Sequence, residues 1–491
     1  MAFKLKQTGI LALTLAGVML LAPACSGSGA APAAPADTTT AAATTAAADT
    51  TVAADTTTAA AEKVHLKIGG VKPQDDDPQS AKDEFDYWTQ IVTAQFPNID
   101  FEFDRFAPGE DYRQQYDQQL MAGNAPNVGA YFPYVDIPTR MANGTIGDLT
   151  SYVNNWDLKK QGLVTTVFDQ AISTADGKWY AVPGYPYVSG IVINTAVQKD
   201  GGGDPANQPT TWSAFATDAQ SYTDKSVPRF GYLLLGSDWN AWTFTPWVWS
   251  AGGEMVRDNG DGTWKPAFAE DPGVDAAMFM HDLVWKYNCT QKDILEDYNA
   301  FTQHFLAGQA VYGWGSPPGF SADDLAKYDQ KQEDIAFMPL PGKDDGGHQA
   351  TFAGGEVFTV NPQNTPAQND AAWQYITYVG FDKDYLTGLW QKENELGRLN
   401  GDPCARTDLS ETKFSIATSW PSGWAKEISD GFAMAQPEPW CPHWNDLKNE
   451  IVKPLQDIYL TENMTRDQAA KELMDCAQTL CTKYPDTFKM P

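Results

Sequence analysis

Patterns typical of strands and helices alternate along the chain from residue 64 onward, and this alternation constrains the possible folds most strongly. Residues 64–68 alternate apolar and polar side chains, as strands do, and residues 99–103 repeat the pattern. Between them, residues 85–96 place apolar side chains at helical spacing. A helical pattern at 112–121 and a strand pattern at 128–132 follow. The order β-α-β-α-β predicts an α/β fold built on an open sheet.

The alternation continues to the end of the chain. Strands are predicted at 190–194, 310–314 and 356–360, and helices at 212–222, 274–287, 301–307, 371–379, 451–459 and 466–482. At roughly 150 residues per domain, 491 residues leave room for two or three domains.

The first 24 residues have the features of a secretory signal peptide. Lys4 and Lys6 give a positive start, and residues 9–21 are apolar but too few to span a bilayer. Residues 22–24, Ala-Pro-Ala, form a small-x-small cleavage pattern. No later apolar run approaches 18 residues, so we expect no transmembrane helix in the mature chain.

Cys25 directly follows the predicted cleavage point, a position that resembles the lipobox of bacterial lipoproteins. The resemblance implies that its thiol receives a diacylglycerol, whereas ordinary secretion with an unmodified Cys25 is the alternative. Residues 26–61 are almost entirely Ala and Thr, and such a tract buries too little surface to offset its ordering entropy. We therefore expect residues 25–61 to be a lipidated cysteine and a disordered tether.

The charge balance excludes one large class of partners. The chain has 34 Lys+Arg and 63 Asp+Glu, a formal net charge of −29. Nucleic-acid binding requires an excess of basic residues on one face, so no nucleic-acid partner is expected. The same charge disfavours contact with an anionic membrane surface other than through the Cys25 anchor.

The cysteines and histidines give no metal signature. Cys404–Cys441 and Cys476–Cys481 are plausible disulfides in an exported protein and would leave Cys289 free, although spacing alone leaves the connectivity open. No Cys/His cluster has zinc spacing, and the five histidines lie far apart, so neither a metal nor a cofactor is predicted.

Motifs of common enzymes are also missing. The sequence has no GxSxG, HExxH, Walker or GxGxxG pattern. A pair of catalytic carboxylates, as in glycosidases, is defined by spatial separation and leaves no sequence motif. We predict a non-enzyme, with a carbohydrate-active enzyme as an open alternative.

Aromatic residues cluster where loops are expected. The chain has 17 Trp, 20 Tyr and 23 Phe, and Trp239, Trp242, Trp247 and Trp249 fall within eleven residues. Flat aromatic faces suit the C–H faces of sugar rings, whereas core packing is the alternative. Trp247 and Trp249 lie in an apolar, helix-like run and are the more favoured core residues.

Four stretches carry a resemblance to a known family. They are 121–128 (MAGNAPNV), 179–194 (WYAVP through GIVIN), 305–315 (FLAGQAVYGWG) and 337–355 (FMPLPG through GG). In order and spacing they resemble the extracellular solute-binding proteins of ABC transporters, in the sugar-binding branch that includes maltose-binding proteins. The resemblance covers residues 64–484.

This resemblance implies a two-lobe, periplasmic-binding-protein-like α/β fold of type II. Lobe one would comprise 64–185 and 348–375, and lobe two 188–345 and 378–491. Strands crossing between the lobes would form a hinge, and the ligand would bind in the cleft between them.

Thirteen positions are expected to line this cleft by the same resemblance. They are Asp76, Tyr131, Tyr134, Asp136, Tyr185, Tyr187, Trp242, Trp314, Pro317, Gly355, Glu356, Trp440 and Trp444. For Asp76, a solvated acidic turn is an equally good interpretation. Several follow predicted strands, where open α/β sheets bind ligands.

The expected function is that of a lipoprotein at the outer face of the cytoplasmic membrane. It would capture a mono- to oligosaccharide as a monomer and deliver it to an ABC permease. The alternatives are a non-sugar solute on the same fold, such as a phosphorylated compound or iron, and the carbohydrate-active enzyme.

Overall fold

The computed structural model describes residues 63–75, 77–105, 111–399 and 401–490. All of them lie in one unit of the chain, Ala61–Pro491. The strands are β1 (Val64–Ile68), β2 (Ile99–Phe103), β3 (Val128–Pro133), β4 (Val182–Asn194), β5 (Phe230–Tyr232), β6 (Arg257–Asp258), β7 (Trp264–Lys265), β8 (Ala310–Gly315), β9 (Ile335–Met338), β10 (Thr351–Val360) and β11 (Ala435–Pro437).

Helices connect and cover these strands. They are α1 (Gln79–Gln95), α2 (Asp111–Met121), α3 (Ile137–Asn143), α4 (Thr150–Asn155), α5 (Asp157–Lys160), α6 (Asp169–Ile172), α7 (Thr195–Asp200), α8 (Trp212–Tyr222), α9 (Asn240–Ser250), α10 (Asp271–Trp285), α11 (Tyr298–Leu306), α12 (Ala322–Ala326), α13 (Pro366–Phe381), α14 (Lys383–Glu395), α15 (Ser410–Ile416), α16 (Trp424–Ala433), α17 (Trp444–Leu460) and α18 (Arg466–Lys483). The predicted strands and helices are all present, most of them longer at one end or both.

One mixed sheet contains nine of the strands. Its path is β2-β1-β3-β10-β4-β8-β5, with β11 paired to β10 and β9 paired to β4. The β1 strand runs parallel to β2 and β3, whereas β10 is antiparallel to β3 and β4. The α/β class predicted from the alternating pattern is therefore confirmed.

Two long strands, β4 and β10, lie between a first group of strands, β1, β2 and β3, and a second group, β5, β8 and β9. Residues Val182–Ser189 of β4 pair with β10, and residues 190–194 pair with β8 and β9. Likewise, the start of β10 pairs with β11 and its end pairs with β3. The chain thus crosses between strand groups along 182–194 and again along 351–360.

Apolar side chains form two buried clusters. The smaller core contains Leu66 and Ile68 of β1 and Val92 of α1. It also contains Tyr385 and Trp390 of α14, with Cys404 and Leu409 beyond it. The larger core includes the buried side chains between β8 and the helices that pack on it. Both Trp247 and Trp249 are buried in this core, as predicted.

The smaller core bears on the predicted lobe boundaries. The sequence interpretation assigned 378–491 to lobe two, but α14 packs on α1 and α13, and its apolar face completes the core around β1. The predicted boundaries near 375–378 and near 185–188, the second of which lies within β4, stay predictions.

The predicted disulfides are wrong, because all five cysteines of the described region are free. Cys404 belongs to the smaller core, whereas Cys441 is buried in the larger one. Cys476 and Cys481 both lie on α18, and five residues along a helix place two side chains on different faces.

Two searches of the described residues bear on membranes and metals. None of the helices in these ranges is long and apolar enough to cross a membrane. Within the same ranges, no group of three or more His, Cys, Asp or Glu side chains is arranged to hold a metal ion.

The packing predicts unequal costs for two leucine truncations. Leu473 of α18 is fully buried, so Leu473→Ala should lower the free energy of unfolding by about 2–5 kcal/mol. Leu460 is 47% exposed, and Leu460→Ala should cost less than about 0.5 kcal/mol. Urea unfolding of the two variants measures this difference, and equal losses would contradict the packing described for α18.

Candidate ligand-binding cleft

The pairing of β4 with β10 brings the first group of functional side chains together. Gly354 lies opposite Tyr187, and Glu356 lies opposite Tyr185. Phe352, Gly354 and Glu356 share one face of β10, because side chains alternate along a strand. The ring of Tyr187 lies so close over Gly354 that a β-carbon there would sit 2.0 Å from its Cζ. Glycine at 354 therefore lets this ring lie against the strand.

Gly355 serves a second ring in the same way. A β-carbon at Gly355 would sit 2.6 Å from Cζ of Phe168, and Tyr134 stacks on Phe168 with ring centroids 4.3 Å apart. Gly355 was predicted to line the cleft, and in the structure Gly354 and Gly355 together make room for two aromatic rings.

Two carboxyl groups lie close to one another beside Tyr187. Burial, followed by the charge of Asp402, raises the pKa of Glu356 to about 7. Burial also raises the pKa of Asp402 to about 6, although the positive charge of Lys413 partly opposes this. Both side chains are half-buried. Sequence reasoning missed Asp402, because no motif marks a single aspartate in an irregular loop.

The hydroxyl of Tyr187 lies near several acidic groups. Burial raises its pKa well above the usual value, and the charges of Glu356, Glu438 and Asp402 raise it further. An ionised Tyr298 would act in the same direction. Tyr187 therefore marks the point where β4, β10, the Asp402 loop and α11 approach one another.

The loop carrying Asp402 touches the turn that follows β8. A β-carbon on Gly401 would overlap Pro318, at 1.8 Å from its Cγ, and would lie 3.1 Å from the ring of Trp420. Glycine is needed here because the two chain segments approach so closely. Asp402 consequently lies between the smaller core, which holds Leu399 and Cys404 on either side of it, and the strand group of β8.

Three aromatic rings form a platform that we call the aromatic platform: Trp239, Trp242 and Tyr298. Trp239 contacts Trp242 and Tyr298 at centroid distances of 5.5 and 5.4 Å. Trp239 is 40% exposed and Tyr298 43% exposed. Trp242 also packs edge-on against Phe352 of β10, 5.3 Å away, so the platform lies next to the face of β10 that carries Glu356.

Trp314 supports this platform from behind. It was predicted to line the cleft, but its ring is buried and packs edge-on against Trp242 at 5.2 Å. Pro317, after the same strand, is also buried. Trp239 and Tyr298 are more exposed and are the stronger candidates for ligand contact. The tryptophan cluster in the sequence pointed to Trp239, whereas no pattern pointed to Tyr298.

Other predicted residues hold two parts of the chain together. The Tyr134 hydroxyl donates to the carbonyls of Ala353 and Glu438 at 3.3 and 3.4 Å. Asp136 accepts from Arg113 Nε at 2.5 Å and from Asn445 Nδ2 at 2.8 Å. The contacts with Glu438 and Asn445 join the segment after β3 to the segment around residues 438–445, whereas the other two reach β10 and α2.

The two C-terminal tryptophans belong to the same segment. Trp444 is buried and donates from Nε1 to the Glu438 carboxylate at 3.0 Å. Trp440 is half-buried, donates to Gln170 at 3.1 Å and packs on Trp264. A direct role in ligand contact stays a prediction for both.

The remaining predicted positions separate further. Tyr185 packs its ring against Phe358 and borders the smaller core. Asp76 lies outside the described residues, and for Tyr131 only the backbone, within β3, is described. The structure thus brings together Tyr187, Trp242, Gly355 and Glu356 of the predicted set.

Two surface grooves lie elsewhere. One of about 600 Å³ is bordered by Tyr152, Trp156 and Trp373, and one of about 390 Å³ by Trp156, Tyr378 and Arg406. Neither includes a residue from the face of β10 that carries Glu356. The chemistry that can orient a polar ligand is at the crossing strands, so we place the candidate site there.

The raised pKa of Glu356 predicts a specific pH dependence of stability. The folded protein keeps this proton up to about pH 7, whereas the unfolded chain loses it near 4.5, so folding stability falls as the pH rises through this interval. Glu356→Gln should therefore raise the free energy of unfolding by about 1–3 kcal/mol at pH 8, relative to the parent protein, and should leave it unchanged at pH 4.

Denaturant titrations at the two pH values measure this effect. Glu462→Gln, an exposed glutamate on the loop before α18, is the matched control and should change stability at neither pH. A Glu356→Gln variant that is less stable than its parent at pH 8 would contradict the raised pKa.

Comparisons with solved structures agree with the architecture. A solute-binding protein from Thermotoga lettingae TMO, bound to alpha-D-tagatose, matches with a TM-score of 0.66 and 20% identity, over 85% of this chain and 100% of that chain. The maltose-bound T. maritima MalE3 matches with a TM-score of 0.66 and 19% identity, over 85% and 100%. UgpB from Mycobacterium tuberculosis, in complex with glycerophosphocholine, gives 0.66 and 15%, over 87% and 100%.

These likenesses establish the two-lobe fold of solute-binding proteins. The family described as bacterial extracellular solute-binding protein matches residues 79–385, which is more than half of the chain. The extracellular location of this family agrees with the secretory signal peptide predicted for residues 1–24. The chain belongs to the family of bacterial extracellular solute-binding proteins.

Proposed function

We propose that this protein is the carbohydrate-binding subunit of an ABC importer, which captures a mono- to oligosaccharide and delivers it to a membrane permease. The observation that carries this proposal is the aromatic platform beside the face of β10 that bears Glu356. Sugar rings combine apolar C–H faces with polar edges, and this arrangement offers a partner for each.

Each group has a distinct role in the proposed complex. The exposed faces of Trp239 and Tyr298 stack on a sugar ring, with Trp242 beside them. The carboxyl groups of Glu356 and Asp402 accept hydrogen bonds from hydroxyls, and the hydroxyl of Tyr187 donates one or accepts one. Enclosure between the two lobes lowers competition from water and strengthens these bonds.

Delivery follows from a shift between open and closed forms. A ligand that contacts both lobes binds the closed form better, and it can shift the equilibrium only by that difference in affinity. The polar contacts of Asp136 with Asn445 and of Trp440 with Gln170 join segments of the two lobes and would favour closure. The permease then recognises the closed form.

A carbohydrate-active enzyme is the second candidate, because Glu356 and Asp402 form a pair of carboxyl groups with raised pKa values. Glycosidases use one protonated and one ionised carboxyl group. Release of reducing ends from oligosaccharides during incubation with the protein would support this candidate, and unchanged oligosaccharides would support the binding protein.

We also propose that Cys25 anchors the protein at the outer face of the cytoplasmic membrane through a diacylglycerol, with residues 26–61 as its tether and a monomeric body. Residues 1–62 lie outside the described residues, so this proposal rests on the sequence pattern alone. The anchor would hold the binding subunit near its permease.

Removal of one platform ring should weaken sugar binding. Tyr298→Ala should reduce the affinity for the bound sugar about tenfold or more, because the exposed face that stacks on the ring is lost. Tyr328→Ala is the matched control, since Tyr328 is 40% exposed but lies after α12, outside the platform. Calorimetric titration against a sugar panel measures both, and equal affinities of the two variants would contradict the proposed site.

Removal of the anchoring thiol should release the protein. Cys25→Ser should move it from the membrane fraction to the soluble extracytoplasmic fraction, because the acyl acceptor is gone. Fractionation of cells and immunoblotting measure the distribution. A variant that stays with the membrane would contradict the lipid anchor and leave the sugar site untouched.

A further inference from the structure

We propose that the cleft prefers a sugar that carries a protonated amine, held between Glu356, Asp402 and the aromatic platform, over the corresponding neutral sugar. This inference deepens the proposed function and rests on it. It concerns the chemical class of the ligand.

The two carboxylates lack protein partners. Among the hydrogen bonds and ion pairs of the described chain, none joins the side chain of Glu356 or Asp402 to another residue. Lys413 is the cation whose charge acts on Asp402, and its Nζ donates to the backbone carbonyl of Asp402 at 2.7 Å. Its charge lowers the pKa of Asp402, but it is shared with Glu393 and the ring of Trp390.

Two other buried acids of the same region have basic partners. Glu438 accepts from Trp444 at 3.0 Å and from Lys448 at 2.9 Å. Asp136 is paired with Arg113. Both of these acids thus have a basic partner, whereas none of the described basic side chains forms an ion pair with the Glu356 carboxylate. An acid enclosed without a partner is costly, so its retention indicates a partner that comes from outside.

Charge distinguishes the two kinds of ligand. Hydroxyls of a neutral sugar hydrogen-bond to carboxylates but leave the repulsion between the two acids in place. An ammonium group removes that repulsion and forms charge-assisted hydrogen bonds. Trp239 and Tyr298 add to this preference, because the face of an aromatic ring attracts a cation.

The whole chain favours the same ligand. Its formal net charge of −29 raises the local concentration of cations around the protein. Around Tyr187, the charged or titratable groups that affect its pKa are Glu356, Glu438, Asp402 and Tyr298, and none of them is basic. A cationic ligand therefore meets attraction both at a distance and in the cleft.

Binding of an amine should also move protons. Since the pKa of Glu356 is about 7, this group is partly protonated at pH 6.5 in the free protein. A bound ammonium group favours the ionised form and expels the proton. A neutral sugar gives little or no release.

Calorimetric titration of the purified protein at pH 6.5 and low salt tests the inference. The probes are glucosamine and its oligomers, N-acetylglucosamine and its oligomers, and glucose with maltotriose. We expect the amines to bind at least tenfold more tightly than their N-acetyl counterparts and to release protons, measured in two buffers of different ionisation enthalpy. Salt should reduce the difference.

Two variants connect the preference to the proposed residues. Glu356→Gln and Asp402→Asn each keep the shape of the side chain, and each should bring the amine and the N-acetyl sugar to within about threefold of each other. Glu356→Gln should reduce proton release to the smaller share that comes from Asp402, whose pKa is about 6, whereas the exposed control Glu462→Gln should keep both effects. Thermal unfolding verifies that each variant is folded. If one variant does not fold, the other alone tests the proposal.

Two outcomes would contradict the proposals in different ways. Equal or tighter binding of the neutral sugars would overturn the amine preference and leave the carbohydrate function standing. Binding of none of these sugars, neutral or amino, would overturn both.

Discussion

The antiparallel pairing of β4 with β10 is the interaction on which the rest of the structure depends. Seven residues of β10, from Phe352 to Phe358, pair with residues 182–189 of β4, and each strand then continues into pairs with other strands. A shift of one residue in this register would turn Glu356 and Phe352 to the opposite face of the sheet. The same hydrogen bonds therefore join the two groups of strands and set which side chains share a face with Glu356.

Charge is distributed in two ways near this crossing. Where an acid joins segments of the chain, as Asp136 and Glu438 do, a basic residue pairs with it. For Glu356 and Asp402, which we propose to face the cleft, no ion pair with a described basic side chain is formed, and burial raises the pKa of each. Acidic residues that join chain segments are thus paired with a basic residue, whereas those proposed to bind the ligand are left without one.

The fold was predictable from the sequence, because strand and helix periodicities are local properties, and the family pattern runs along most of the chain. The site was predictable only in part. Tyr187, Trp242, Gly355 and Glu356 lie on or beside the crossing strands, where the pattern placed them. Tyr298 and Asp402 come from α11 and an irregular loop, and only tertiary packing, including the contact of Gly401 with Pro318, brings the loop there.

Other predicted positions show the same dependence on tertiary packing. Tyr134, Asp136 and Trp444 stay predicted cleft residues, and in the structure their polar atoms also form hydrogen bonds to other residues of the chain. The predicted disulfides failed because Cys404 and Cys441 are buried in different cores. Which apolar surfaces meet, and not how residues are spaced, decides these outcomes.

A crystal structure of the protein with the tightest-binding sugar of the panel is the most direct measurement of the central claim. We predict density for the sugar between the rings of Trp239 and Tyr298 on one side and Tyr187 and Glu356 on the other. Density for the sugar in the groove beside Trp156, or at any surface away from the crossing strands, would contradict the assignment of this cleft as the carbohydrate site.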